Sequence, residues 1–304
     1  MPPETATVTT AAAVAAPSPA DDRLEAGLDA LQTVRDQRPA GRSPALPVGW
    51  PPLLAVLLLL ALWEGGVRLG LQPRSVVPGP GDVARALATL WHDGQAQTAL
   101  ATSLGRGALG FLASVAIGTP LGVLVARIGW LRVSVGPLMS GLQVLPSVAW
   151  VPAALIWFGL SDATVYFVVL MGAVPSVING LVSGVEQVPT LFLHVGRVLG
   201  ANPWQQVRHV LLPAALPGYL AGLRQGWAFS WRSLMAAEII AVGGRLGFGL
   251  GSLLQRSRGL GDTPTVLAAV LLILLVGVAV ELTLFGPVER RLLRSRGLTP
   301  GNGR

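Results

Sequence analysis

Gly200 is followed by the run ANPWQQVRH and then by Val210, Leu211, Leu212 and Pro213, inside a polar stretch (residues 186–217) between two long apolar segments. The local chemistry of this run is that of a short, sharply bounded helix. Gly200 is a natural stop for a preceding helix. Asn202 suits an N-cap, Pro203 the first helical position, and Gln205 follows the cap by three residues, where its amide closes a capping box. Pro213 is expected to limit the far end, giving a helix of about ten residues over 203–212. Trp204, Val207 and Leu211 are predicted to share one face, with Gln205, Gln206, Arg208 and His209 elsewhere. Such a helix either offers an aromatic knob to a partner's groove or lies flat on a membrane surface; the local pattern favours neither.

Arg224, Arg232 and Glu238 fall within one apolar segment. A charge at the centre of a membrane helix costs about 2.5–3.5 kcal/mol on insertion scales, so such a group faces a cavity or a partner. Arg224 is near the segment's end, where it can snorkel. Arg232 is deeper, and an anion pathway and a structural pair are both open. Arg232 and Glu238 do not share a helix face, whereas Glu238 and Arg245 do. Trp227 and Trp231, one turn apart, either line a pathway or pack in the core. Trp231, Arg232 and Glu238 are therefore the candidate solute-pathway residues.

Several chemistries are excluded. The chain has no cysteine and no lysine. Thiolate catalysis, cysteine metal sites and a P-loop with its lysine are thus ruled out. His92, His194 and His209 are scattered, so no metal site is expected. The run Gly105-Arg106-Gly107-Ala108-Leu109-Gly110 matches the dinucleotide fingerprint, but it follows no strand and opens an apolar helix. Gly118 with Gly122, Gly180 with Gly184, and Gly222 with Gly226 are small-residue pairs suited to close helix packing.

The elements that position these residues follow from composition. The 304 residues are 52% hydrophobic and only 12% charged, about half the charge of a soluble domain. The apolar residues come in blocks, which is the membrane class. The fold class is all-α, a polytopic membrane protein with about six transmembrane helices, near residues 48–69, 104–126, 135–158, 163–185, 218–242 and 265–285. Pro146 and Pro152 interrupt the third and suggest a bend there. Residues 1–47 form a polar, Ala- and Pro-rich tail expected to be disordered; 48–296 form the membrane domain with its polar loop at 186–217; 297–304 form a short tail.

The net charge of +7 is read as membrane anchoring rather than nucleic-acid binding. Arg35, Arg38, Arg42, Arg127, Arg132, Arg197, Arg208, Arg290, Arg291, Arg294 and Arg296 share one side if there are six crossings. The positive-inside rule puts that side, with both termini and the polar loop, in the cytoplasm. Arg245, Arg256 and Arg258 depart from the rule. The adjacent glycine run at 247–251 suits either tight backbone packing or a hinge.

Gly200, nine residues, then Val210-Leu211-Leu212-Pro213 resembles the tail of the "EAA" loop of binding-protein-dependent ABC transporter permeases. The text GRVLGANPWQQVRHVLLPAALPGYLAGLRQGWAFSWRSLMAAEII, with VLPSVAWVPAALIWFGL upstream and GFGLGSLL downstream, is similar to the nitrate/sulfonate/taurine/bicarbonate group. The resemblance covers about residues 78–293. The Glu-Ala-Ala triplet that names the loop would fall on His194, Val195 and Gly196, so its acid is missing.

The resemblance implies a type I ABC importer permease in the cell membrane, not itself an enzyme. It implies a homodimer with a second copy and two ATP-binding subunits that carry the ATP and Mg; no cofactor is expected in this chain. The coupling residues would be Gly200, Asn202, Pro203, Trp204, Val207, Arg208, Leu211 and Pro213. An extracytoplasmic solute-binding protein would deliver the solute, and Arg245, Arg256 and Arg258 would either meet its acidic rim or draw in an anion; a short loop tolerating them is the alternative. The implied solute is a small oxyanion (aliphatic sulfonate or taurine, then nitrate or bicarbonate), with a non-anionic solute such as a thiamine precursor as the alternative. The other alternative, an ion-coupled secondary transporter, would need inverted repeats and midplane acids; only Glu238 and Glu281 lie near span interiors and no convincing repeat is found, while the clustered catalytic groups of an intramembrane enzyme do not assemble.

Overall fold

The computed structural model describes residues 50–70, 72–241, 243 and 247–295. The two expected tails and Arg245 lie outside the described residues. The chain divides into two units, Met1–Leu59 and Leu60–Arg304. The described part of the first is the leucine-rich start of α1 (Trp50–Arg68), which corresponds to the first predicted span.

Among its described residues, the second unit contains only helices. They are α2 (Pro80–His92), α3 (Gln95–Arg127), α4 (Gly129–Val144), α5 (Val151–Phe158), α6 (Asp162–Glu186), α7 (Thr190–Val198), α8 (Pro203–Gln205), α9 (Leu212–Ile240), α10 (Leu250–Gly259), α11 (Thr263–Val280) and α12 (Gly286–Ser295). Three are long and apolar enough to cross a membrane: Gln95–Arg127, Asp162–Glu186 and the combined Thr263–Arg294. A fourth span is present if α4 and the segment Ser147–Phe158 count as one.

That third predicted span is bent by 95°. Pro146 causes the break. The residue before a proline is pushed out of the helical region, and Leu145 has φ −69° and ψ 122°. Pro146 itself has ψ 126°, after which a 3-10 turn (Ser147–Trp150) restarts the chain. Pro152 falls in the first turn of α5, where a missing N–H costs nothing. Gly159, at φ +65°, then turns the chain into α6.

α3, α6 and α9 form the centre of this unit. Gly180 meets Gly222 backbone to backbone, and Gly184 meets Gly218 and the Ala215 carbonyl. A Cβ at Gly184 would lie 2.5 Å from that carbonyl, so α6 and α9 pack in direct backbone contact that only glycine permits. Gly118 and Gly122 receive Val177 and Leu181 of α6 in the same way. Gly107 and Gly110, from the run that mimics a dinucleotide fingerprint, pack on Leu234 and Val169. The hydroxyls of Thr119 and Tyr219, 2.6 Å apart, add a polar tie between α3 and α9. Trp227 and Trp231 stack at 6.0 Å in the core, and Trp231 Nε1 donates to the Ile273 carbonyl of α11 at 3.2 Å.

Candidate functional site

The polar loop folds as its local chemistry requires. α7 ends at Val198, and Gly200, with φ +79°, is the left-handed stop just beyond it. Ala201 N–H then donates back to the Gly196 carbonyl at 3.0 Å. Asn202 and Gln205 form the reciprocal box: Gln205 N–H donates to Asn202 Oδ1 at 2.8 Å, and Asn202 N–H donates to Gln205 Oε1 at 2.9 Å. Arg127, at the end of α3, reaches across to the Pro203 carbonyl at 3.3 Å. Asn202→Ala is expected to cost this helix start about 1 kcal/mol, read as about fivefold faster amide hydrogen exchange over residues 204–206.

Pro213 does not end the helix, contrary to expectation. α8 runs through a π turn (Gln206–Leu211) directly into α9. A proline ring clashes with the carbonyl four residues earlier, here that of His209. Widening the preceding turn moves that carbonyl aside, and Leu212 N–H bonds to Val207 O, five residues back. The wide turn also corrects the predicted face. Val207 (2% exposed) and Leu211 (7%) turn inward onto Val188 and Ala215, while Trp204 stands 66% exposed. Val207 and Leu211 therefore pack this subunit internally and are not offered to a partner.

Of the other expected coupling residues, Gly200, Asn202, Pro203, Arg208 and Pro213 are exposed. Leu191, Phe192, Val195, Val198 and Leu199 leave α7 and the turn after it with an exposed apolar surface of their own. Phe192, Val195, Leu199, Val210 and Pro213 line a shallow depression of about 550 Å³ there. An exposed apolar surface of this kind suits either a protein partner or lipid.

At the opposite end of α9 lies an ion-pair network that the sequence did not reveal. Arg106 of α3 is 7% exposed. Its Nε and Nη2 contact Asp162 Oδ1 at 2.9 and 2.8 Å, and its Nη1 lies 3.2 Å from Glu238 Oε1. Nη1 also donates to the Gly247 carbonyl at 3.3 Å. Glu238, 3% exposed, accepts at Oε2 from Ser103 Oγ (2.7 Å) and from Gly251 N–H (3.0 Å). Ser103 Oγ in turn accepts from Leu250 N–H at 2.8 Å. The network joins α3, α6 and α9 to the first turn of α10. One signal was available: an arginine near the start of an apolar helix demands a partner.

The predicted pathway residues separate. Trp231 is a core residue, and Glu238 is committed on both oxygens, so neither is free to handle solute. Arg232 alone is exposed, with its Nε on the Ala228 carbonyl and its guanidinium 4.7 Å from the Phe229 ring centroid. Arg224 pairs with Glu281 and, at 3.2 Å, with Glu289. Arg256 and Arg258 are exposed on α10. Arg256 borders a groove of about 510 Å³ that it shares with Asp82, Arg85, Asp93 and Asp262, so its surroundings are of mixed charge. Arg245 and its suggested pairing with Glu238 lie outside the described residues.

A family model described as "Binding-protein-dependent transport system inner membrane component" matches residues 118–292, more than half of the chain. The chain belongs to this family. It is a multi-pass membrane subunit of a transport system, not an enzyme in its own right. The permease is 33% identical to the riboflavin transport system permease protein of Chloroflexus aurantiacus, over 81% of this chain and 91% of that protein. It is 30% identical to the taurine transport system permease protein of Escherichia coli, over 87% and 92%. Its fold is that of the inward-facing MetNI methionine ABC transporter, with a TM-score of 0.54 at 20% identity, over 64% of this chain and 94% of that one.

Proposed function

We propose that this permease is the pathway-forming subunit of an ATP-driven importer, and that Trp204 and the exposed apolar residues of α7 dock a separate ATP-binding subunit. The observation that carries this reading is the continuous helical run over residues 203–240, capped at one end and exposing a tryptophan there. At 1.5 Å per residue it is about 57 Å long, nearly twice a hydrocarbon core of about 30 Å. Trp204 is therefore linked to the far side of the membrane by one uninterrupted helical run, through the π turn at Gln206–Leu211. Arg127, Arg132, Arg197, Arg208, Arg290, Arg291 and Arg294 support a cytoplasmic position for this end. Two ATP-binding subunits hold the ATP and Mg, since no lysine is available here for a P-loop. A second copy of this chain completes the pathway, and an extracytoplasmic binding protein delivers solute to α10, with Arg256 and Arg258 among its contacts.

The solute is a small oxyanion, a sulfonate such as taurine first and nitrate next. The taurine permease relative supports this, as does Arg232, which no acidic side chain pairs among the described residues. The riboflavin permease relative favours a second reading, a non-anionic heterocycle. Proteoliposomes holding the assembled complex distinguish an importer from an ion-driven carrier. Uptake is expected to require ATP and to stop with vanadate; uptake driven by an ion gradient without the ATP-binding subunit contradicts the proposal. Arg232→Ala is expected to raise the anion concentration needed for half-maximal ATPase stimulation about tenfold, the loss of one charged hydrogen bond. An unchanged value removes Arg232 from the pathway.

A further inference from the structure

We propose that Arg106 and Glu238 are positioning residues that fasten the start of α10 to α9, so that engagement of the binding protein on α10 is passed to the ATP-binding subunit at Trp204. This rests on the reading above that α10 meets the binding protein. The segment leading into α10 and its first turn have the composition of a hinge, with glycines at 247, 249 and 251. A hinge absorbs displacement. The structure gives these glycines the opposite use. A Cβ on Gly249 would lie 2.5 Å from both Glu238 carboxylate oxygens, and one on Gly251 would lie 2.5 Å from Glu238 Cβ. The missing side chains let the backbone lie directly on the carboxylate.

Three backbone groups of this segment are then taken by buried side chains. Gly247 C=O is held by Arg106, Leu250 N–H by Ser103, and Gly251 N–H by Glu238. Glu238 sits at the first turn of α10, where the helix dipole favours a negative charge. Its own helix ends two residues later, at Ile240. Gly251 N–H is bound to the same buried carboxylate that pairs with Arg106, so a shift of α10 away from α9 strips a buried charge of a donor, which is costly. α9 is in turn locked to α6 by the direct Gly180–Gly222 and Gly184–Gly218 contacts. Displacement at α10 is delivered along the run 203–240 to its other end.

The test uses the full complex in nanodiscs, with the ATP-binding subunit and the binding protein loaded with taurine. The doubly neutral variant Arg106→Met/Glu238→Gln leaves no buried charge unpaired. Its ATPase rate without binding protein and its affinity for binding protein are expected to be unchanged, while stimulation by the binding protein falls about tenfold, within the usual range of coupling between sites. Full stimulation overturns the proposal. So does an equal fall in basal and stimulated rates, which marks a purely structural role. If the double variant fails to assemble, Ser103→Ala removes the acceptor of Leu250 N–H and retains both charges; reduced stimulation at normal basal rate is expected, and normal stimulation overturns the proposal. Arg256→Glu/Arg258→Glu separately tests the docking surface. Unchanged binding-protein affinity in that variant rejects the surface reading, while the Arg106/Glu238 result still decides the fastening role.

Discussion

Arg106→Met alone is expected to destabilise the folded chain by about 3–5 kcal/mol, because it leaves the Glu238 carboxylate buried without its cation. The effect is asymmetric. Asp162, the other partner, is about half exposed and can hydrate once the guanidinium is gone. Glu238 cannot, and the remaining donors, Ser103 Oγ and Gly251 N–H, do not neutralise its charge. Adding Glu238→Gln removes the orphaned charge and is expected to recover most of the loss. Thermal unfolding of the detergent-purified chain, followed by the monodisperse fraction on size exclusion, measures both. A single variant as stable as the double one refutes the assignment of this pair as a buried ion pair.

Trp204→Ala is expected to abolish ATP-driven uptake with no loss of membrane insertion. The two halves of that result have separate causes. Trp204 is mostly exposed, so truncation stays near the surface range of about ±0.5 kcal/mol for the chain itself. Tryptophans at the centre of an interface, by contrast, commonly carry 2 kcal/mol or more, which is roughly a thirtyfold loss of affinity. Docking should therefore fail while expression and fold persist. Uptake assays paired with co-purification of the ATP-binding subunit measure this, and normal co-purification with normal uptake rejects the docking role.

What was legible in the sequence was local. The Asn202–Gln205 box was readable because both hydrogen bonds close within three residues. The bend at Pro146 was readable because proline restricts its predecessor whatever the surroundings. The glycine pairs signalled close helix contact, though not which helices would meet. The failures were one local turn of unexpected width and a set of tertiary pairings. Pro213 read as a stop because the rule for proline assumes an α turn before it, and a π turn removes the clash. That same turn re-aims Val207 and Leu211, which no 3.6-residue periodicity anticipates. Arg106 and Glu238 are 132 residues apart, and pairing each with neighbours on its own helix could not bring them together. The glycines at 247–251 admitted a hinge or close packing until the Glu238 carboxylate was placed beneath them.

The most direct measurement installs a photo-reactive benzophenone side chain at position 204, which keeps an aromatic knob in place, and irradiates the assembled transporter. The expected product is a covalent adduct with the ATP-binding subunit, formed on the cytoplasmic face. Adducts with lipid alone, or with the binding protein on the opposite face, contradict the placement of Trp204 at the motor contact.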